Sequence, residues 1–404
     1  MLGVTKLLCE ADETEKALGK IQAEETGTSP LNPRLLQFTM DKRPVVVWNI
    51  TKRCNLLCSH CYSDSLNRNY NNELTTDEAL QVIDDLSDFR VPVIIFSGGE
   101  PLLREDIFSL AGYAGEKGIR CVLSTNGVLI DKNTAKRIKD AGFSYAGISI
   151  DGLGEINDRL RGIKDSYNNA LTGLRNLQDE NIYTGLRLTL RKKTLSQLFP
   201  VFELSERESV PRIYVSHLVY SGRGKNIKRD DLTHHESRMA VDFIINKAID
   251  FHKRGIKKDV ITGNNDADGV YLYLKVANGN PEMGEKIYEL LKKRGGNSSG
   301  AAVSCIDHTG EVHADQFWSH YSFGNVLRRP FSDIWTDTNE PLMSRLKEKA
   351  KWIKGRCRTC RYLDICGGNY RVRAEFVHDD IWAEDPACYL TDSEIGIVQV
   401  AGSG

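Results

Sequence analysis

Residues 45–61, VVVWNITKRCNLLCSHC, run from a short apolar stretch straight into three cysteines, Cys54, Cys58 and Cys61. A run of this length with little polar alternation reads as a buried parallel strand, which puts the cysteines at its C-terminal end. Outward from it the pattern repeats, with strands expected at 91–97, 119–125, 145–150, 185–190 and 212–220, each followed by a polar or glycine-rich turn. Helical stretches separate them. Thr75 and Glu78 supply the capping box that opens one helix, and Gly118 and Gly142 stand where others must stop. Six β/α units in succession predict an α/β fold on a parallel sheet, a barrel or a doubly wound sheet, with its chemistry at the C-terminal strand ends.

The chain has 404 residues, more than the roughly 250 to 300 that one hydrophobic core spans, so a second unit or an appendage is expected. Residues 1–44 read as an N-terminal extension, 45–225 as the β/α core, 226–300 as a helical connector and 301–404 as a small cysteine-rich domain. The stretch GGNSSGAA, 295–302, reads as a flexible joint. The 54 Lys and Arg balance 55 Asp and Glu, which argues against nucleic acid and membrane surfaces as partners. No stretch resembles a signal peptide or reaches the ~20 apolar residues of a membrane helix, so a cytoplasmic protein is expected. In a reducing compartment the 10 cysteines, six of them clustered at 54–61 and 357–366, point to metal rather than to disulfides.

Three thiolates leave a tetrahedral zinc site incomplete. His60 offers a fourth ligand, but its place beside Cys61 is a poor chelating spacing. A [4Fe-4S] cube held by three cysteines keeps one iron open for a ligand. Further strand ends carry SGGEP (97–101), STNG (124–127) and SIDG (149–152). Gly98 and Gly99 permit close backbone approach and Glu100 is an acceptor suited to an ammonium group, yet a tight turn with a surface carboxylate fits them as well. Asn126 with Gly127, and Ser149 with Asp151, also read as plain turn chemistry.

Taken in order along the chain, the C-x3-C-x2-C loop and these three segments resemble the radical S-adenosylmethionine (SAM) superfamily over roughly residues 45–220. The resemblance implies a partial (β/α)6 barrel. It implies that Cys54, Cys58 and Cys61 hold a [4Fe-4S] cluster whose open iron chelates SAM. One electron from a ferredoxin- or flavodoxin-type reductant then cleaves the S–C5′ bond to give a 5′-deoxyadenosyl radical. Gly98, Gly99 and Glu100 would meet the methionine amino group; Asn126, Ser149 and Asp151 lie at the ribose and carboxylate contacts. His60 would stack on adenine, and Arg161, in INDRLRG (156–162), would hold the SAM carboxylate.

In the tail, Cys357, Cys360 and Cys366 form C-x2-C-x5-C and Cys388 follows, a spacing that by itself leaves a zinc ribbon open. Attached to such a core, the segment resembles the SPASM or twitch-like extension, and the four cysteines match the ligands of its outer auxiliary cluster. At the inner cluster's positions the chain keeps Cys305 and Gly310 but has Asp315 and Tyr370 where cysteines belong. The resemblance therefore implies two [4Fe-4S] clusters in all, one binding SAM and one auxiliary.

DKRPVVVWNITKRCNLLCSHCYSDS, FSGGEPLLREDIF, GGNYRVRAEF and EDPACYLTD together resemble the haem-biosynthesis branch of these enzymes. Within it they are most similar to the deacetylases that remove two acetate side chains from didecarboxysiroheme to give iron-coproporphyrin, and to heme d1 pathway relatives. An iron tetrapyrrole with several carboxylates asks for arginines and an axial ligand. Arg187, Arg191, His217 and Arg223 on the late strands are candidates, as are Arg371 and Arg373, with Asp315 and Tyr370 beside the vacated positions. His308, His313 and His320 compete with His217 for the axial role. A SPASM peptide maturase is the alternative enzyme, although residues 1–44 are too short and polar for a leader-binding domain. A non-enzymatic iron-sulfur or zinc protein is the remaining alternative.

Overall fold

The computed structural model describes residues 1–11 and 43–397, so most of the expected N-terminal extension lies outside the described residues. Ten strands follow in order: β1 (Leu2–Gly3), β2 (Val45–Thr51), β3 (Val93–Gly98), β4 (Arg120–Thr125), β5 (Tyr145–Ser149), β6 (Thr184–Leu190), β7 (Arg212–His217), β8 (Asp259–Gly263), β9 (Val303–Ile306) and β10 (Val312–His313). The described residues form two compact units, 43–231 with 299–347, and 1–11 with 232–298 and 348–397.

In the larger unit the strands run in the order β7-β6-β5-β4-β3-β2-β9-β10, an open order that makes a partial barrel. β2 to β7 and β9 are parallel, and β10 is antiparallel to β9. Every residue of β2 is buried, the polar Asn49 and Thr51 with the apolar ones. The helix Thr76–Asp88 opens on the expected box: Thr75 N donates to Glu78 Oε2 (2.8 Å) and Glu78 N to Thr75 Oγ1 (3.3 Å). Its Ala79, Val82, Ile83 and Leu86 are buried, the i, i+3, i+4, i+7 face that packs on the sheet. Gly118 and Gly142 sit at φ +82° and +79°, left-handed stops as expected.

In the smaller unit the helices His234–Lys253 and Pro281–Arg294 lie in the stretch read as a helical connector. Strand β8 and the helix Ala267–Gly279 lie between them, and β8 pairs antiparallel with β1 (Leu2 opposite Thr262), so 226–300 is more than a run of helices. The stretch read as a flexible joint is packed. A Cβ on Gly296 would stand 2.1 Å from the Cys366 carbonyl oxygen, and Asn297 N donates to that same oxygen (3.2 Å).

The tail divides between the units. Val303–Ile306 lies parallel on β2, with Val45 opposite Val303, and satisfies an edge that would otherwise present unpaired backbone groups. Residues from Glu348 onward cluster with the smaller unit. Among the described residues, no helix is long and apolar enough to cross a membrane.

Candidate metal centre and ligand site

The loop after β2 carries three cysteines whose thiols crowd one another: Cys58 and Cys61 both raise the pKa of Cys54, and Cys61 raises that of Cys58. Local bonds hold the sulfurs. Leu56 N donates to Cys54 Sγ (3.4 Å), Ser65 N lies 3.5 Å from Cys61 Sγ, and Cys61 N donates to the Cys58 carbonyl (3.3 Å). Burial pushes the Cys54 thiol up to about 12 and raises Cys58. A buried thiolate therefore needs a cation, and metal coordination is the chemistry that supplies one while displacing the proton.

Gly98 and Gly99 do allow a close backbone approach, but to the cysteine loop itself. A Cβ on Gly98, at φ +128°, would stand 2.2 Å from the Thr51 carbonyl oxygen, and one on Gly99 2.1 Å from that of Arg53. The contact is sealed by Gly99 N to Thr51 O and Glu100 N to Arg53 O, both 2.8 Å. Glu100 is fully buried and accepts from Thr125 Oγ1 (2.7 Å), Leu102 N (3.2 Å) and Asn126 N (2.8 Å). Burial lifts its carboxyl to about 7. It thus joins the ends of β3 and β4, and Asn126 carries the link on to the loop through Asn55 (2.8 Å).

The turn after β5 supplies a second brace. Asp151 is wholly buried, with Oδ2 at 2.6 Å from Arg161 Nη2 and 3.1 Å from His60 Nε2. Its Oδ1 accepts from Thr189 N of β6 (2.9 Å). Burial alone would raise Asp151, and the Arg161 guanidinium and His60 overcome it, holding the carboxyl well below its ordinary range. Arg161 continues to Cys58 Sγ (3.6 Å). Asp151 is therefore committed to protein cations. Ser149 stands beside it at the end of β5, opposite Arg187 of β6. Among the described residues, His60 Nδ1 and Arg161 Nε are buried without a hydrogen-bond partner beside the thiols, as is Arg223 Nη2. A ligand bearing carboxylate and heteroaromatic groups fits them.

The expected substrate contacts fall in several environments. Arg187 reaches inward across β5 to Ser124 of β4, its guanidinium 5.2 Å over the Tyr214 ring, and Gly147 leaves it room. His217 is buried at the end of β7. Arg223 is spent on the cysteine loop, with Nε at 2.8 Å from the Cys58 carbonyl and Nη1 at 2.8 Å from Asp64. Asp315 is buried, accepting from Ser299 Oγ and from Phe317 N (2.7 Å), and it acts on Cys305. Sequence reading missed Asn49 and Tyr62. Tyr62 OH donates to Asn49 Oδ1 (2.9 Å) and meets Ser97 Oγ (3.1 Å), while Asn49 Nδ2 lies 3.5 Å from Cys305 Sγ, a polar chain across β3, β2 and β9. Tyr62 follows Cys61 directly, which was the available signal.

In the smaller unit, burial raises the pKa of Cys366, and Cys388, Cys357 and Cys360 raise it further, so the four thiols are neighbours. Arg356 Nη1 lies 3.4 Å from Cys388 Sγ. Arg371 and Arg373 are fully buried here: Arg371 donates to the carbonyls of Gly368, Ile381 (3.1 Å) and Ala383, and Arg373 pairs with Asp385 (2.7 and 3.0 Å). They frame the cysteines rather than face a substrate. Tyr370 N donates to Asp385 Oδ2 (2.8 Å). Among the described residues no three His, Cys, Asp or Glu groups converge closely enough for a single metal ion. A cube binds each thiolate through a different iron and asks for wider spacing.

The family model for the Radical SAM superfamily matches residues 48–204. The Fe-coproporphyrin III synthase of Methanosarcina barkeri is 49% identical over 98% of this chain and 99% of its own length. The pre-heme d1 synthase of Dinoroseobacter shibae is 43% identical over 91% of each. Among solved structures, native anSMEcpe with bound AdoMet superposes with a TM-score of 0.68 at 17% identity, covering 88% of this chain and 96% of that one, a likeness of fold.

Proposed function

Because this chain belongs to the radical SAM superfamily and to its haem-biosynthesis branch, we propose that it removes the two acetate side chains of didecarboxysiroheme to give iron-coproporphyrin. The observation that carries the reading is the 49% identity, end to end, with a relative named for iron-coproporphyrin synthesis. In this reading Cys54, Cys58 and Cys61 hold a [4Fe-4S] cluster, and Cys357, Cys360, Cys366 and Cys388 a second, auxiliary one. Bound there with SAM, the first cluster would supply one-electron reductive chemistry able to attack unactivated carbon.

The chain's own residues hold and shield. Gly98 and Gly99 lock the cysteine loop onto β3, and Glu100 and Asn126 fix the next strand end beside it. Arg161, steadied by Asp151, presents positive charge at Cys58 and keeps Nε for the SAM carboxylate. His60 has its Nε2 edge tied to Asp151, which fixes the ring plane for adenine. Ser149 serves the ribose. Arg187, within β6, and His217, at the end of β7, are assigned to the tetrapyrrole carboxylates and iron, with Arg223 and Asp315 shaping the surroundings. Such positioning is what converts a freely diffusing radical reaction into a directed one.

The test is anaerobic incubation of reduced, reconstituted protein with SAM and didecarboxysiroheme, read by mass spectrometry. Conversion to iron-coproporphyrin is expected. Unchanged tetrapyrrole together with turnover on a peptide would replace this reading by the maturase one.

A further inference from the structure

A strip of exposed positive charge lies directly against the cysteine loop, and none of the contacts assigned above uses it. The turn Gly222–Asp230 is bound to the loop at both ends. Arg223 N and Nε donate to the Cys61 and Cys58 carbonyls (2.9 and 2.8 Å), and Gly222 lies so close that a Cβ would stand 2.4 Å from the Cys61 carbonyl oxygen. At the far end, Asp230 pairs with the buried Arg191 (3.0 Å), whose other nitrogen donates to Ser59 Oγ (2.9 Å). Lys192 Nζ donates to the Arg229 carbonyl (3.1 Å) and brings the start of the next segment alongside. Outward from this frame stand Lys192, Lys193, Lys225, Lys228 and Arg229, all exposed. Of the nearby carboxylates, Asp230 pairs inward with Arg191, and the exposed Asp64 is paired with Arg223.

We propose that this strip docks an acidic one-electron carrier protein of flavodoxin or ferredoxin type and brings its redox centre to the edge of the cysteine loop. The inference rests on the reading that Cys54, Cys58 and Cys61 hold a reducible cluster, because the chemistry then needs an electron from outside the chain. The balance is simple: one electron leaves the reduced carrier and enters the cluster, with no bond made or broken in the transfer. Electron tunnelling falls steeply with distance, and the turn that carries Lys225, Lys228 and Arg229 is hydrogen-bonded through Arg223 to the carbonyls of Cys58 and Cys61. Clustered charge of one sign also steers encounter, and ionic strength screens it.

The experiment measures 5′-deoxyadenosine formation by the reconstituted full chain, driven either by dithionite or by reduced flavodoxin. In a Lys193→Glu, Lys225→Glu, Lys228→Glu variant, the flavodoxin concentration for half-maximal rate is expected to rise about tenfold or more, with the dithionite-driven rate and tetrapyrrole binding unchanged. In the unaltered protein the flavodoxin-driven rate is expected to fall as salt rises, while the dithionite-driven rate stays level. Equal flavodoxin dependence in variant and unaltered protein overturns the docking site, as does a salt-independent flavodoxin-driven rate. Weakened tetrapyrrole binding in the variant instead assigns the strip to substrate carboxylates and also overturns it. If dithionite yields no 5′-deoxyadenosine even from the unaltered protein, the cluster reading itself fails, a result distinct from the others.

Discussion

Asp151 illustrates how one side chain organises a site. Its carboxylate, 0% exposed, sits between Arg161 and His60 and takes a backbone donor from β6. Removing its charge leaves a buried guanidinium uncompensated, which ordinarily costs about 3 to 5 kcal/mol. Asp151→Asn is expected to show that loss in denaturant unfolding, together with weaker SAM binding; a stability within about 0.5 kcal/mol of the parent would contradict the brace. Gly98 is as constrained. At φ +128° and with Thr51 O in the path of any Cβ, Gly98→Ala is expected to cost at least about 2 kcal/mol and to disturb the cysteine loop, read as reduced iron content after reconstitution. Cys58→Ala is expected to abolish reductive SAM cleavage while the auxiliary cluster's absorbance and EPR signal persist. Continued 5′-deoxyadenosine formation by that variant would remove Cys58 from the ligand set.

Elements tie these residues together. The cysteine loop is held from three sides, by the β3 end at Gly98 and Gly99, by the helix Glu155–Arg161, and by the turn Gly222–Asp230. Leu57 N to Arg161 O (2.9 Å) and Ser59 N to Leu160 O (3.1 Å) make the second of these contacts. In the smaller unit, the short helix Asp392–Ile395 is fastened to the helix His234–Lys253 by Arg238 and Glu394, with Arg238 Nη1 3.0 Å from Glu394 Oε2. The Arg238 hydrogen bond holds the Glu394 carboxyl near 2, below its ordinary 4.5. A depressed folded-state value stabilises above the unfolded one, so this contribution is complete above pH 4.5 and disappears as pH falls from there towards 2. The pair is partly solvated, so on the order of 1 kcal/mol is expected from it. Glu394→Gln should lower stability at pH 7 and match the parent near pH 2 in acid titration of unfolding; an equal deficit at both pH values would rule out the ion pair as its source.

At the scale of the molecule, two cysteine groups serve two compact units. Reconstitution should give about eight irons per chain, and Cys58→Ala about four. A parent value near four would reduce the chain to one cluster. The segment from Glu348 to Ile397 has only short helices, and the cluster assigned to its four thiols is expected to add to the order that the contacts of Arg371 and Arg373 supply. Iron chelation is therefore expected to raise hydrogen exchange in Cys357–Cys388 while β2 to β7 stay protected. Uniform protection throughout would mean that the tail is held by its protein contacts alone.

The sequence by itself determined the repeating β/α order, the capping box at Thr75 and Glu78, the left-handed stops at Gly118 and Gly142, and the clustering of cysteines at 54–61 and 357–366. These are set within a few residues by backbone sterics, side-chain periodicity and ligand spacing, so they can be read locally. Tertiary structure alone decided that Gly98 and Gly99 meet the cysteine loop, that Asp151 serves Arg161 and His60, that Arg371 and Arg373 face inward, and that Val303–Ile306 completes the edge of β2. Each joins groups far apart in sequence. Burial then fixes which polar partners must find one another, and no local pattern records that choice.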